Sequence, residues 1–380
     1  MTATPEPAQR ADAATAEPAG PDPVGAVETA GDEETVDGAT DGARDRSGHE
    51  LLSRTAVVVV SYDSAALLER TLARVAEDSP EAHIVVVDNY STPTAREELV
   101  ALASSHGWEA VLPETNTGFG GGMNLGAARA RELGADLLVL LNPDAVIGRA
   151  DLIRLAARAH GDRLALVAPV LKDSSGRIVS DGIVVCLADG SMRSRRSPRP
   201  IPPGGTQPWL SGACLALSTD LFEATGGFDA RYFLYWEDVD FSARVLAVGG
   251  SLDLARDAVA VHDEGGTHSG SAGSAESAGS SESGDGEQEG RAKSDIYYYY
   301  NVRNRLLYAG LHLDRSAQRR WVATAGRAAR EIVLRGGRRQ LLRTRRPLIT
   351  AAQATRDGLR LLRAARRGEL PDIDRPLIRG

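Results

Sequence analysis

The sequence predicts an α/β protein built on an open, mostly parallel sheet, and three observations predict it. Continuous Val- or Leu-rich runs of strand length recur at Thr55–Ser61, His83–Asp88, Asp136–Leu141 and Leu164–Val170. Segments with helical spacing, Ala65–Glu77, Thr94–Ser105, Asn124–Leu133 and Arg149–His160, lie between and after them. Turn residues bound each run. Runs apolar throughout, without polar alternation, fit strands covered on both faces by helices. Strand–helix alternation then argues for a doubly wound, Rossmann-like sheet.

The chain has 380 residues, room for one large domain with appendages or two ordinary domains. Hydrophobic residues make up 42% and aromatics only 5%, so the core is expected to be Ala, Val and Leu. The formal charge of −8 hides an asymmetry: residues 1–50 hold 12 acids and 3 Arg, whereas residues 314–380 hold 18 Arg and 6 acids. The first 50 residues lack apolar periodicity and read as a disordered acidic tail. Residues 53–264 read as the sheet domain, and 265–292, rich in Gly, Ser and Glu, as a flexible insertion. Between Ile178 and Leu217 the pattern turns irregular, with short strands and a basic, Pro-rich loop. The strand-like Ala258–Val261 closes the domain. Residues 293–380 read as helical and Arg-rich: Asp295–Leu313, then Arg315–Arg367 as an amphipathic hairpin suited to anionic lipid.

Cys186 and Cys214 match neither a disulfide framework nor a metal-site spacing and are expected as small core thiols in a reducing compartment. No secretory leader is evident, and no apolar run nears the ~20 residues that span a bilayer. The expected location is cytoplasmic, with peripheral contact at the inner face of the cell membrane. A Walker lysine and the dinucleotide glycine fingerprint are both missing, and no nucleic-acid partner is expected.

Ligands of open α/β sheets bind at the carboxyl ends of the strands. Those ends carry Ser61, Tyr62 and Asp63; Asp88, Asn89 and Ser91; and Asn142, Pro143 and Asp144. One acid after a strand is commonly a helix cap, but three on one edge suggest a site. The segment Asn116–Asn124 (NTGFGGGMN) opens a helix, and its glycines, Gly118 and Gly120 among them, allow close approach of a ligand. Asp144 can hold Mg2+ or Mn2+ against a diphosphate. His262, after a strand-like run, is expected near the same edge, and imidazole suits Mn2+. Trp209 and Gly212 lie on a strand with a tight backbone. Tyr235-Trp236-Glu237-Asp238-Val239-Asp240 places acids at a helix start, expected as Glu237–Val248. The helix dipole alone favours acids there. The aromatics before them add desolvation, which raises a carboxylate's pKa and strengthens it as a base.

Val57–Val60 with Ser-Tyr-Asp, Val-Val-Asp88-Asn89-Tyr-Ser91, Asn116-x-Gly-Phe-Gly-Gly-Gly-Met-Asn124-x-Gly126, Leu-Asn142-Pro-Asp144, Ser-Gly212-Ala, Gly-Gly227-Phe-Asp229 and Trp-Glu237-Asp238-x-Asp240 together resemble glycosyltransferase family 2. The resemblance covers roughly residues 53–310 and is nearest to bacterial rhamnosyltransferase-like and galactofuranosyltransferase-like members. It implies a GT-A fold with C-terminal helices, and inverting transfer. It places Tyr62, Asp88, Asn89, Asn116, Gly118, Gly120, Asn124, Asn142 and Arg303 on the nucleotide-sugar donor. It makes Asp144 and His262 ligands of Mg2+ or Mn2+, with Asn142 and Asp144 standing in for an Asp-x-Asp motif. It makes Asp238 the catalytic base with Glu237 beside it, and puts Trp209, Gly212 and Trp236 on the acceptor side. Two departures stand out: Asp63 replaces the usual Asn, and the insertion follows directly on His262.

The function implied is transfer of a sugar from a dTDP-rhamnose or UDP-galactofuranose type of donor to a hydroxyl of a cell-wall or surface glycan, free or lipid-linked. Two alternatives are a non-catalytic nucleotide-sugar or glycan-binding module, which would lack the key acids, and a sugar-phosphate nucleotidyltransferase, which would carry a basic Gly-rich N-terminal signature.

Overall fold

The Val run after Thr55 becomes β1 (Thr55–Ser61), buried along its whole length as a strand with helices on both faces must be. The computed structural model describes residues 46–194, 196–263 and 293–371. From β1 the chain runs through α1 (Ala65–Leu68) and α2 (Leu72–Asp78) to β2 (His83–Asp88), then through α3 (Pro93–His106) to β3 (Glu109–Val111). It continues through α4 (Gly118–Glu132) to β4 (Leu137–Leu141), β5 (Ala145–Ile147), α5 (Arg149–Gly161) and β6 (Ala165–Lys172). Short strands β7 (Ile178–Ser180), β8 (Ile183–Cys186), β9 (Met192–Ser194) and β10 (Thr206–Trp209) precede β11 (Cys214–Ser218), α6 (Thr219–Ala224), α7 (Glu237–Ala247) and β12 (Ser251–His262). The helices α8 (Asp295–His312), α9 (Arg315–Ala323), α10 (Ala325–Leu334), α11 (Gln340–Arg343) and α12 (Arg346–Arg367) follow.

The main sheet is ordered β3-β2-β1-β4-β11-β6-β12-β5, with β7 beside β6, and β10-β8-β9 form a second sheet. Register decides what meets at the carboxyl edge. β1 and β2 are parallel with Ser61 opposite Asp88, so both strands end level. β4 is parallel to β1 on its other side. β11 runs antiparallel to β4 with Cys214 opposite Leu141, so the residues entering β11 lie at that edge too. β12 is parallel to β6, and its end crosses antiparallel to β5 with His262 opposite Ala145. Residues far apart in sequence thus converge on one rim.

Aliphatic clusters cover the two faces of the sheet, Val57, Val59, Val139 and Leu155 on one and Val58, Val60, Leu140 and Leu215 on the other. A third cluster, between α7 and the C-terminal helices, gathers Trp209, Tyr232, Trp236, Tyr298, Tyr308 and Trp321. Within it α8 and α12 cross closely at glycines: a side-chain carbon at Gly358 would stand 2.8 Å from the Arg303 carbonyl, and one at Gly310 would stand 3.1 Å from Leu362 Cα.

Several expectations change. The acidic tail was expected through residue 50, but residues 46–53 are helical and Leu52 is buried in the core. The rest of that tail and the insertion 265–292 lie outside the described residues. The single helix Ala65–Glu77 is broken into α1 and α2, and at the break the Thr71 hydroxyl donates to the carbonyls of Leu67 and Pro143. The glycine segment is not a loop: α4 starts at Gly118, six residues before the expected Asn124. The C-terminal hairpin is a set of four helices, α9 to α12. Among the described residues, no helix is long and apolar enough to cross a membrane.

Candidate active site at the carboxyl edge of the sheet

The β12–β5 crossing carries His262 to the residue after β4's exit turn. Its Nε2 lies 3.1 Å from Asp144 Oδ1, both side chains 1% exposed. Asn142 sits beside them, 2% exposed, and its amide oxygen and nitrogen meet no partner among the described residues. A buried amide without a partner is costly and points to a group that the site receives. A carboxylate oxygen and an imidazole nitrogen side by side are a donor set that fits a divalent cation. Among the described residues, no three His, Cys, Asp or Glu cluster as a complete cation site.

The acids of α7 meet this rim through one peptide. Asn142 N–H donates to the Ala213 carbonyl at 2.9 Å. The neighbouring Gly212 N–H donates to Asp238 Oδ2 at 3.0 Å, and Val239 N–H donates to Asp238 Oδ1 at 2.8 Å. A side chain at Gly212 would press on the Asp238 carboxylate, with its Cβ 3.3 Å from Asp238 Cβ. Burial pushes the Asp238 carboxyl up to about 7, against the two backbone N–H groups that hold it down. Burial, reinforced by the charge of Asp238, pushes Glu237 well above the ordinary carboxylate range. Both Glu237 oxygens are without a hydrogen-bond partner among the described residues.

Asp240 is different. Arg244 Nε donates to Oδ2 at 2.7 Å, His312 Nε2 lies 2.6 Å from Oδ1, and the Tyr232 hydroxyl donates to Oδ1 at 3.2 Å. Burial raises its carboxyl, but His312 and Arg244 outweigh burial and hold it below the usual range. Of three acids in one helical turn, Asp240 is tied by side-chain partners, Asp238 is held by backbone N–H groups, and Glu237 has no hydrogen-bond partner among the described residues.

The turn that delivers them is strained. Phe233, Tyr235 and Trp236 all have positive φ, 62°, 67° and 73°, a region that L side chains seldom occupy. A clamp from α8 holds it. Asn304 Nδ2 lies 2.8, 2.8 and 2.7 Å from the carbonyls of Tyr232, Leu234 and Tyr235. Arg303 Nη1 donates to the Arg231 carbonyl at 3.0 Å and also to Asn304 Oδ1. Neither Asn304 nor His312 is among the expected site residues. The signal available was Asn304's place one helical turn beyond four consecutive tyrosines, Tyr297–Tyr300, where burial obliges an amide to find backbone partners.

The structure assigns several expected site residues to other duties. Arg303 is 1% exposed and serves the clamp rather than lying open to a diphosphate, because α8 packs it against the 229–232 turn. Trp209 and Trp236, expected on the acceptor side, are buried in the aromatic cluster, Trp236 at 5.5 Å from Tyr308 and 6.2 Å from Trp321. Asn124 binds the Phe228 peptide at both ends of its amide, 2.9 and 2.8 Å, so its polar groups are used within the fold. Asn89 Oδ1 accepts from the Thr117 N–H and hydroxyl, fixing the start of α4 against β2. Asn116 Oδ1 accepts from Gly118 N–H at 2.9 Å, closing a turn there. Gly118 has φ +76°, and side chains at Gly118 and Gly120 would strike Phe233 and Phe228. These glycines therefore admit Phe233 and Phe228. Asp88 stands at its strand end, buried, with Oδ2 accepting from Arg96 Nε at 2.5 Å. Tyr62 is half-buried at the end of β1, and Asp63 beside it is exposed.

Residues 56–198 match the model of Glycosyl transferase family 2. An N-acetylglucosaminyl-diphospho-decaprenol L-rhamnosyltransferase of Mycobacterium tuberculosis is 29% identical over 224 residues, 51% of this chain and 70% of that protein. The rhamnosyltransferase WbbL of Escherichia coli is 23% identical over 221 residues, 54% of this chain and 82% of its own. A solved mannosyltransferase from Pyrobaculum calidifontis, in complex with GDP-Man and Mn2+, aligns over 83% of this chain and 86% of its own at 16% identity and a TM-score of 0.43. Residues 56–198 thus form a glycosyltransferase family 2 domain, carried on a mostly parallel α/β sheet whose carboxyl rim gathers the expected acids.

Proposed function

We propose that the chain moves a sugar, with inversion at the anomeric carbon, from a nucleoside-diphosphate donor of the dTDP-rhamnose or UDP-galactofuranose kind to a hydroxyl of a cell-wall or surface glycan. The names of the mycobacterial and E. coli relatives favour rhamnose, and the decaprenol diphosphate in the first favours a lipid-linked acceptor. The catalytic unit is assigned to residues 53–264, completed by the helices of 293–371.

The observation that carries the reading is Asp238: a carboxylate buried beneath the rim, raised to about 7, and aimed by the Gly212 peptide. An acceptor hydroxyl must lose its proton as it attacks, and a base poised near the working pH accepts it most effectively. As the new C–O bond forms, the bond to the diphosphate breaks and its electron pair leaves with the diphosphate. Asp238 keeps the proton. Because Asp238 must be ionised to act, turnover rises with pH through neutrality and levels off above it. The donor-side roles are proposed for Asp88, Tyr62 and Asn142, at or after the ends of β2, β1 and β4.

Asp144 and His262 would hold Mg2+ or Mn2+, whose other ligands would come from the donor diphosphate and water, as such sites commonly arrange. Bound there, the ion would neutralise charge on the departing diphosphate.

The test incubates the purified chain with dTDP-rhamnose and UDP-galactofuranose and a prenyl-diphospho-N-acetylglucosamine acceptor, with Mg2+ or Mn2+, and reads free nucleotide. Acceptor-dependent nucleoside diphosphate is expected. Its absence with every donor overturns the reading, and pyrophosphate in its place would identify a nucleotidyltransferase. Undiminished release in EDTA would remove the cation from the scheme.

A further inference from the structure

The molecule exposes one strongly basic tip with apolar side chains at its crest. From Ile332 to Arg356 the sequence holds seven arginines and no acid. Within that stretch Leu342 is 89% exposed, Ile349 56% and Leu348 47%, and Leu342 is the most exposed large apolar side chain among the described residues. Arg338, Arg339, Arg343 and Arg345 are exposed around them, and none of these four is in an ion pair among the described residues. Water gives such a surface no reason to exist: exposed leucines gain nothing, and the like charges repel.

The tip is built, not frayed. Gln340, at the start of α11, is buried; the Tyr298 hydroxyl donates to its Oε1 at 2.9 Å, and its Nε2 donates to the Val333 carbonyl at 2.9 Å. A side chain at Gly336 would collide with that same hydroxyl. Pro347 is buried at the start of α12, and Arg346 Nε lies 3.4 Å from Asp295 Oδ2 at the start of α8. The anchors hold the backbone while the leucines and arginines between them point outward.

We propose that residues 335–349 dock on an anionic lipid bilayer, seating Leu342, Leu348 and Ile349 among the acyl chains while Arg338, Arg339, Arg343 and Arg345 meet the phosphate headgroups. Each signal alone binds weakly; apolar insertion and a basic cluster together hold a protein at a surface. The charge pattern selects this occupant. An acidic protein or nucleic acid would use the arginines and leave the three apolar chains wet, and a second copy of this tip would oppose like charges. The proposal extends the reading of a lipid-linked acceptor. Tyr298, which anchors the tip, and Asn304, which clamps the catalytic turn, share α8 and lie about 9 Å apart along its axis. The same helix thus sets the height of the carboxylates over the membrane plane.

The test sediments the full chain with vesicles of phosphatidylcholine containing about one-third phosphatidylglycerol, and with pure phosphatidylcholine. Binding to the anionic vesicles alone is expected, weakening with salt. R338E/R339E/R343E/R345E should lose on the order of 100-fold in partitioning. L342E/I349E, which keeps every arginine, should lose about tenfold. Either variant partitioning like the parent overturns the proposal, as does a parent that ignores anionic vesicles yet binds single-stranded nucleic acid or an acidic polypeptide. Nucleotide release with a short-chain, water-soluble acceptor should stay within about twofold of the parent in both variants. A parent without that activity that still binds vesicles overturns the donor reading and supports the surface; the reverse pattern overturns the surface alone.

Discussion

Around β1 and β4 the core is aliphatic, Val58 packed with Leu140 and Leu215 on one face and Val57 with Val139 on the other. Between α7 and α8 it is aromatic, with Tyr232, Trp236, Tyr308 and Trp321 packed around polar clamps. The first region is held by area alone and tolerates any side chain of similar size. The second must hold three residues at positive φ and keep buried carboxylates ionisable, which needs directional bonds as well as area. If the proposed chemistry belongs to the second region, substitutions in the two should separate stability from turnover.

Asp238→Asn has the largest expected effect. It removes the proton acceptor and preserves shape, so turnover should fall by about 10²–10⁴ while thermal unfolding changes little. A variant with near-parental turnover would remove Asp238 from its role. Asn304→Ala comes next. It leaves buried carbonyls of the strained turn without donors, at about 1–3 kcal/mol of stability. If the aromatic region positions the acids, turnover per folded molecule should also drop, about 10–100-fold for a small misplacement; loss of stability without loss of turnover would reduce the clamp to scaffolding.

Leu140→Ala belongs to the aliphatic side of the comparison. It should cost about 2–5 kcal/mol by chemical denaturation and leave turnover of the folded fraction unchanged. A large change in turnover would mean that the two regions are not separable. Glu237→Gln should be smallest. Burial pushes the Glu237 carboxyl well above the ordinary carboxylate range, toward the neutral form that the amide imitates. Turnover should stay within about threefold and the pH–rate inflection near neutrality should not move; a shifted inflection would show that Glu237 ionises in the working range.

The aliphatic region was legible residue by residue. Thr55–Ser61 and His83–Asp88 are strands with the bounds their Val runs suggested, because a doubly covered parallel strand imposes a pattern on each of its own residues. The meeting of Asp144 with His262 was expected from motif order, and the β12–β5 register supplies its cause. What stayed hidden was long-range. The glycines of α4 looked like space for a ligand, but the space is taken by Phe228 and Phe233, which no local pattern announces. Arg303 looked like a cation for the diphosphate, because charge is visible in sequence and burial is not. Asn304 carries no charge and was given no role of its own, yet its amide reaches three carbonyls of the 232–235 turn.

The clamp has a consequence for synthesis. The sheet strands and the acids of α7 leave the ribosome before Asn304, and α12, which packs on α8, leaves later still. A nascent chain can fold its sheet early and still lack the Asn304 bonds that hold the 232–235 turn, so transfer is expected only after its C-terminal helices have emerged. Chains released just before residue 293 should show the sheet's cooperative unfolding and no transfer; a chain of that length with parental turnover would show that the turn stands without α8.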